Sequence, residues 1–176
     1  MLHLHDKAFE PFISSEEIEF AITNMAKQMD DDFFDETPIF IGVLNGSFMV
    51  MSDLMKRYRG MCEVSFVKVA SYEGTKSTNE VKQLIGINQD LEGKTVVIVE
   101  DIIDTGNTIE ELKAIFKEKK VKHLKIATLF FKPEAYKKDI KIDYVGIRIP
   151  NKFIVGYGLD YDGLGRNLPD VYQVVE

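Results

Sequence analysis

Two acidic residues followed by a hydroxyl-rich turn give the clearest chemical signal in this sequence. Glu100 and Asp101 come directly after the apolar run 95–99, and Asp104 leads into the turn 105–108. Paired carboxylates can accept hydrogen bonds from vicinal sugar hydroxyls or bind a divalent cation. The sequence therefore predicts a polar site where a buried strand ends.

The turn 105–108 has the composition of a phosphate-binding site. The apolar residues after it recur at helical spacing, namely Ile109, Leu112, Ile115 and Phe116. The turn should therefore lie at a helix N-terminus, where free backbone N–H groups and the helix dipole attract an anion, most simply a phosphate. A phosphorylated sugar would match both the carboxylates and the turn. Asp104, between them, would then lie near the anomeric carbon, where it could act as a general base.

Two other interpretations of this stretch compete with a sugar phosphate site. One is an acidic surface turn after an ordinary strand, although turn chemistry alone does not require Asp-Thr-Gly-x-Thr at that place. The other is a phosphatase of the Asp-x-Asp-x-Thr kind. Its aspartates are two positions apart, whereas Asp101 and Asp104 are three apart.

Residues 97–108, Val-Ile-Val-Glu-Asp-Ile-Ile-Asp-Thr-Gly-Asn-Thr, resemble the phosphoribosyl-pyrophosphate signature of the type I phosphoribosyltransferases, specifically the hypoxanthine-guanine branch. Further motifs extend the resemblance over about residues 35–170. It implies the α/β type I phosphoribosyltransferase fold, with a central parallel sheet flanked by helices. It also implies a single domain over residues 1–176, with a small hood or flap from the N- and C-terminal segments.

The reaction implied by the resemblance is a magnesium-dependent phosphoribosyl transfer. The 5-phosphoribosyl group would move from phosphoribosyl pyrophosphate to N9 of hypoxanthine or guanine, giving IMP or GMP and pyrophosphate. A regulator of the same fold without catalytic activity is the alternative. Such a regulator needs a basic face or a DNA-binding domain, and the net charge of −7 disfavours it.

The resemblance also implies a role for each site residue. Asp104 would be the catalytic base. Glu100 and Asp101 would bind the ribose hydroxyls and, with Asp160, would bind Mg²⁺. The 5′-phosphate would be bound by Asp104, Thr105, Gly106, Asn107 and Thr108, the purine by Lys132, Lys152, Phe153 and Ile154, and the pyrophosphate by Leu44, Asn45, Gly46, Ser71, Tyr72 and Arg166.

Several of these roles have plain structural alternatives. A cis peptide is implied at Leu44-Asn45, yet Asn45-Gly46 alone would be an ordinary turn. A lone lysine such as Lys132 is more often a surface charge, and an aromatic in an apolar run, such as Phe153, is normally in the core. Asn45 also departs from the lysine or arginine that many relatives carry there, which removes a cation from the binding site of a highly charged leaving group.

Alternating strands and helices must position these residues, as in a parallel α/β sheet that binds its ligand at the carboxyl ends of the strands. The patterns predict helices at 15–29, 48–58 and after 108, and strands at 38–44, 62–70, 95–99, 124–131, 144–149 and 153–157. The acidic run 30–32 is expected to be a solvated end of the first helix. The polar segment 71–81, which contains Ser71 and Tyr72, is predicted to be a mobile lid that excludes water.

Composition bounds the setting of the protein. With 176 residues and 45% hydrophobic content, the chain can bury one good core. The acidic balance argues against nucleic-acid binding, and no run approaches the about 20 apolar residues that span a bilayer. Cys62 is the only cysteine, which fits a reduced, cytoplasmic setting. The family suggests a homodimer or homotetramer, with the helix at 48–55 as a plausible interface.

Overall fold

The computed structural model describes residues 1–69 and 83–175. Three α-helices lie in these ranges: α1 (Ser15–Asp32), α2 (Phe48–Arg57) and α3 (Asn107–Glu118). The strands are β1 (Leu2–Leu4), β2 (Lys7–Ile13), β3 (Ile39–Val43), β4 (Glu63–Val69), β5 (Gln83–Ile85), β6 (Thr95–Ile103), β7 (His123–Phe131), β8 (Tyr144–Arg148), β9 (Ile154–Val155) and β10 (Val171–Val174). No helix in the described ranges is long and apolar enough to cross a membrane.

The main sheet has six strands in the order β5-β4-β3-β6-β7-β8. All neighbours pair in parallel except β5, which is antiparallel to β4 at the edge. β6 lies between β3 and β7, and its run 96–99 is completely buried. A continuous β-branched run suits a strand covered on both faces. The predicted α/β fold with a central parallel sheet is confirmed.

Alternate residues of β6 belong to two hydrophobic cores on opposite faces of the sheet. Val97 and Val99 pack in the core that contains α1 and α2. Val96 and Ile98 pack in the other core, which contains α3. This division follows from the alternation of side chains along a strand. Both faces of the sheet are therefore covered, and the carboxyl ends of the strands are left to form a site.

The second sheet is antiparallel, in the order β1-β2-β10-β9. It joins both ends of the chain, because β2 pairs with β10, for example Phe9 with Val174. The patterns in the sequence did not predict β1, β2 or β10. β1 and β10 are short, with three and four residues, and Pro11 interrupts the regular pairing signal of the longer β2.

The end of α1 differs from its prediction. The helix does not end at residue 29 but continues through the acidic run to Asp32. Asp30 Oδ1 accepts a hydrogen bond from the backbone N–H of Arg59 at 2.8 Å, and Asp32 Oδ2 accepts one from the Tyr144 hydroxyl at 2.6 Å. Asp31 and Asp32 are exposed, as expected for a solvated end, although two of the three acidic residues also connect α1 to neighbouring segments.

Helix α2 contributes most of its apolar surface to the protein's own core. Val50, Met51 and Leu54 are buried, whereas Phe48 at its first position is 44% exposed. The helix directly follows the loop 44–47, so its packing fixes the position of that loop. The interface predicted for residues 48–55 would have to use the minority of side chains that remain exposed.

Candidate active site

The strand that carries the paired carboxylates extends further than its sequence predicted. β6 continues to Ile103 because Ile102 and Ile103 pair with Phe130 and Phe131 of β7. Glu100 is consequently inside the protein, with 6% of its surface exposed. The expectation that the chain leaves the core at Glu100 was wrong, and the exit lies three residues later. The carboxylates therefore line the floor of the site.

Burial changes the proton affinity of both carboxylates. It raises the pKa of Glu100 well above the ordinary value, and the charges of Asp101 and Asp104 raise it further. Burial also raises the pKa of Asp101, to about 6, although a hydrogen bond from the Ile102 N–H and the charge of Arg166 oppose the shift. Such crowded carboxylates favour a ligand that supplies positive charge or hydroxyl donors.

The turn predicted to bind phosphate lies at a helix N-terminus, as the sequence indicated. Gly106 is the N-cap of α3, and no side chain caps it. Its φ of 85° is left-handed, and a Cβ built there would lie 2.5 Å from Tyr136 Cε2. Only glycine fits this position. The Thr105 N–H donates to Asp104 Oδ1 at 2.5 Å, which orients the predicted base.

The loop 44–47 after β3 meets the carboxylates directly. The Leu44–Asn45 peptide is cis, as the resemblance implied. A Cβ on Gly46 would lie only 1.6 Å from Asp101 Oδ2. The backbone therefore approaches Asp101 as closely as a residue without a side chain permits. Asn45 Oδ1 accepts a hydrogen bond from Lys68 Nζ at 3.2 Å.

The segment 156–166 packs on the other side of the same loop. Gly158 has a left-handed φ of 97°, and a Cβ there would lie 2.1 Å from the Gly46 carbonyl oxygen. Arg166 Nη1 donates to the Gly158 carbonyl at 2.6 Å, and Nη2 lies 2.7 Å from Asp160 Oδ1. The charge of Arg166 also reaches Asp101. The structure thus brings Arg166 and Asp160 together with the loop and the carboxylates.

Tyr157 fixes this segment to helix α2. Its hydroxyl donates a hydrogen bond to the Asp53 carboxylate, which also forms an ion pair with Lys56 at 2.5 Å. Tyr157 has a left-handed φ of 49°, an uncommon conformation for a residue other than glycine. The sequence gave no sign of this contact, because its partners are 104 positions apart.

The residues predicted to bind the purine lie in two places. Lys132 follows β7 and is only 8% exposed, so it is not a surface charge. Its N–H donates to the Ile103 carbonyl at 3.0 Å. Burial lowers the pKa of Lys132, and the nearby charge of Asp104 opposes this shift. The predicted purine contact and the predicted base are therefore neighbours.

Phe153 forms the other part of the predicted purine site. Its ring is 45% exposed, so the alternative of a core residue is excluded. The rings of Phe9 and Tyr161 flank it, with centroids at 6.3 and 5.7 Å. Ile154 is buried at the start of β9, and the Lys152 N–H donates to the Pro150 carbonyl at 2.8 Å.

The remaining predicted site residues are Asp160, Ser71 and Tyr72. Both carboxylate oxygens of Asp160 already have protein partners, Arg166 and the Gly163 N–H, so a role through water fits Asp160 better than direct contact with a metal. In the described residues, no group of three or more His, Cys, Asp or Glu side chains forms a metal cage. Ser71 and Tyr72 lie outside the described residues.

Mg²⁺ fits the chemistry of this donor set. It is commonly held by one or two carboxylates together with substrate phosphates, rather than by a cage made only of protein groups. Buried Glu100 and half-buried Asp101 supply two mutually repelling carboxylates beside the loop at Gly46. A divalent cation would relieve their repulsion.

A large cavity lies at the opposite end of the strands from these residues. A cavity of about 1290 Å³ is lined by residues that precede β3 and β4, including Phe34, Glu36 and Arg59. These residues lie at the amino ends of the strands. Glu100 and Asp101 lie near the carboxyl end of β6 and Asp104 directly follows the strand, at the edge of the sheet where ligands of parallel sheets bind.

The fold and the site together define a type I phosphoribosyltransferase, and residues 13–162 match the family described as phosphoribosyl transferase domain. The chain is 47% identical over 148 residues to a hypoxanthine-guanine phosphoribosyltransferase of Streptococcus pyogenes, covering 84% of this chain and 82% of the relative. A solved hypoxanthine-guanine phosphoribosyltransferase from Bacillus anthracis is similar with a TM-score of 0.88 and 41% identity, over 94% and 98% of the two chains.

A third similar protein is a variant of hypoxanthine phosphoribosyltransferase from Trypanosoma cruzi, solved in complex with the product IMP. It has a TM-score of 0.86 and 31% identity, over 99% of this chain and 94% of that one. Identity of this extent over most of each chain shows common descent as well as a shared fold. The chain therefore belongs to the hypoxanthine-guanine phosphoribosyltransferase family.

Proposed function

We propose that this protein is a purine-salvage enzyme that converts hypoxanthine or guanine and phosphoribosyl pyrophosphate to IMP or GMP and pyrophosphate. One observation carries the proposal. The carboxylates of β6, the cis loop at Gly46 and the helix N-terminus at Gly106 converge at one edge of the sheet. A ribose with a phosphate at one end and a pyrophosphate at the other would require these three elements together.

The two phosphate groups would be held mainly by backbone N–H groups. The turn 105–108 would bind the 5′-phosphate at the N-terminus of α3, which no side chain caps. The loop 44–47 and Arg166 would bind the pyrophosphate. We propose that Ser71 and Tyr72, which lie outside the described residues, also bind the pyrophosphate.

Asp104 would act as the general base. As the bond from C1′ to the pyrophosphate oxygen breaks, N9 of the purine attacks C1′. The purine loses a proton, most simply from N7, and this proton moves to Asp104. Positive charge grows on the ribose in this step, and buried Glu100 and Asp101 would stabilise it while they hold the ribose hydroxyls. The Thr105 N–H, hydrogen-bonded to Asp104 Oδ1, keeps the base oriented.

We propose that Glu100 and Asp101 hold Mg²⁺, with Asp160 acting through water. When bound, the ion would neutralise negative charge on the leaving pyrophosphate. Phe153 would stack on the purine, Lys132 would donate to its exocyclic oxygen, and the main chain at Lys152 and Ile154 would contact its edge. The exposed ring of Phe153 and the burial of Lys132 near Asp104 support this arrangement.

The setting of the enzyme is also a proposal. We propose a single domain over residues 1–176, with a hood that includes the second sheet, in a cytoplasmic homodimer or homotetramer. The free thiol of Cys62 and the joining of both chain ends in one sheet support this organisation. A regulator without catalytic activity has no support among the relatives described above.

The test is direct conversion of labelled substrate. Purified protein with labelled hypoxanthine, phosphoribosyl pyrophosphate and Mg²⁺ should produce labelled IMP, whereas labelled adenine should give no product. Excess EDTA should abolish the activity, and added Mg²⁺ should restore it. Binding of phosphoribosyl pyrophosphate without formation of IMP or GMP would contradict the proposal. Full activity in EDTA would contradict only the role of the metal.

A further inference from the structure

A cation from β4 lies beside the loop 44–47. Lys68 is the penultimate residue of β4, and its side chain is partly buried. Its Nζ donates to Asn45 Oδ1 at 3.2 Å. The contact is held in register by the neighbouring backbone, because the Leu44 N–H donates to the Val67 carbonyl at 2.8 Å.

The contact with Asn45 does not neutralise the positive charge of Lys68, so this charge can act on a ligand. A lysine beside a carboxylate is largely neutralised, but Asn45 offers only a neutral amide oxygen. In the described part of the chain, no carboxylate lies within ion-pair distance of Lys68. An ammonium group has three donors, and a single amide oxygen engages one of them. The others remain free to bind an anionic ligand.

The charge balance of the site makes such a cation useful. Glu100, Asp101 and Asp104 lie together at the carboxyl end of β6, so acidic side chains crowd this part of the site. Arg166 is shared with Asp160 at 2.7 Å. A departing pyrophosphate carries several negative charges, and an unshared ammonium group at its loop would bind it strongly.

We propose that Lys68 is a pyrophosphate-binding residue, delivered from β4 to the loop 44–47 and positioned there by the side-chain amide of Asn45. This inference rests on the proposed function. It goes beyond that function because it gives a role to two particular residues of this chain. A lysine at position 45 could itself contact the pyrophosphate, and here Lys68 would make that contact from β4, positioned by Asn45. Asn45 is then a positioning residue, and Lys68 contacts the leaving group.

The test compares ligands with and without pyrophosphate. Calorimetric titration of Lys68→Met with inorganic pyrophosphate and Mg²⁺ should give a Kd about tenfold higher than wild type, as for loss of a charge-assisted contact, and the KM for phosphoribosyl pyrophosphate should rise similarly. The Kd for IMP, which lacks the pyrophosphate, should change by less than about twofold. Lys27→Met, at an exposed lysine of α1, is the matched control and should bind both ligands as wild type does.

Three further variants separate the charge of Lys68 from the size of its side chain. Lys68→Arg should retain pyrophosphate binding because it keeps the cation. The double variant Asn45→Lys with Lys68→Met moves the cation into the loop and should recover most of the lost affinity. Asn45→Lys alone should change kcat by less than about tenfold, or roughly 1.4 kcal/mol. Thermal unfolding of each variant reports its folding.

The possible failures are distinguishable. Equal pyrophosphate affinities for Lys68→Met and Lys27→Met would overturn the inference, as would equal losses of pyrophosphate and IMP binding, which would indicate a structural role. Failure of the double variant to recover any affinity, with a normal unfolding temperature, would also count against it. If wild-type protein makes no IMP, the proposed function fails, while the pyrophosphate titrations still decide the role of Lys68.

Discussion

Asp104 shows how the position of a single residue defines its chemistry. It stands one residue beyond the buried end of β6, its carboxylate accepts the Thr105 N–H, and its charge reaches both Glu100 and Lys132. The sequence placed it correctly between the carboxylates and the turn. Its closeness to Lys132 could not be predicted from residue spacing, because that contact depends on the pairing of β6 with β7.

Asp104→Asn removes the proton acceptor but keeps the shape of the side chain. We expect kcat to fall by roughly 10- to 10⁴-fold, the usual range for loss of a general base, with little change in the affinity for phosphoribosyl pyrophosphate. Steady-state kinetics and a binding titration measure the two quantities. Asp139→Asn, at an exposed position, is the control. Turnover near the wild-type rate would remove Asp104 from this role.

Phe153→Ala tests the exposed ring as a purine platform. Loss of a stacking face costs about 1 to 3 kcal/mol, so KM should rise for hypoxanthine and guanine more than for phosphoribosyl pyrophosphate. Phe34→Ala is a suitable control, because Phe34 is even more exposed, at 85%, and lies at the opposite end of the strands. Equal increases in both KM values would show that Phe153 acts on the structure rather than on the base.

The elements of the main sheet were largely predictable, and their connections were not. Apolar periodicity located α1, α2, α3 and the parallel strands, since each of these buries its own face. The hydrogen bond from Tyr157 to Asp53 joins segments 104 positions apart, and the segment 156–166 lies against the loop at Gly46. Contacts of this kind depend on tertiary packing, which leaves no local periodicity in the sequence.

Tyr157→Phe tests whether helix α2 positions the segment 156–166. The variant should lose about 1 kcal/mol of unfolding free energy and also raise the KM for phosphoribosyl pyrophosphate, because Gly158 and Arg166 lose their anchor. Tyr144→Phe is a matched control, since the Tyr144 hydroxyl likewise donates to an aspartate, Asp32, away from the site. It should lose similar stability without a change in KM. A change in KM of the same size for both variants would refute the anchoring role.

Across the whole molecule, the main sheet and the turn at the N-terminus of α3 were predictable from sequence, whereas β1, β2 and β10 of the second sheet were not. β2 and β10 pair across more than 150 positions, as in Gln173 with Glu10. Short strands carry little pattern, and their pairing partners are decided only when the rest of the chain has folded. Long-range packing likewise hides the contact of Phe153 with Phe9, and the contact between Lys68 and Asn45 depends on the pairing of β3 with β4.

The pH dependence of stability should reflect carboxylates that gain partners on folding. Burial raises the pKa of Asp53, but hydrogen bonds from Lys56 and Tyr157 outweigh this and leave it below the ordinary value. The pKa of Glu36 is also lowered, chiefly by its hydrogen bond with Thr95. A lowered folded-state pKa gives stability that is present above the ordinary pKa, about 4, and is lost as the pH falls through the folded value.

Unfolding free energy should therefore decrease steeply below about pH 4. Asp53→Asn should make this decrease shallower, and Tyr157→Phe should do so partially because it removes one of the stabilising hydrogen bonds. Chemical denaturation between pH 2.5 and 7, roughly the range in which carboxylates titrate, measures the slope. An unchanged slope in Asp53→Asn would show that this carboxylate has the same proton affinity in both states.

The membership of β6 in both hydrophobic cores has a dynamic consequence. Opening of one core alone cannot release the strand, because alternate residues from Val96 to Val99 remain packed in the other. The amide hydrogens of β6 should thus be among the slowest to exchange with solvent, and Glu100 and Asp101 are attached to this most protected segment. Helix α3 packs in one core only, so a local opening of the turn at Gly106 would leave the carboxylates in place.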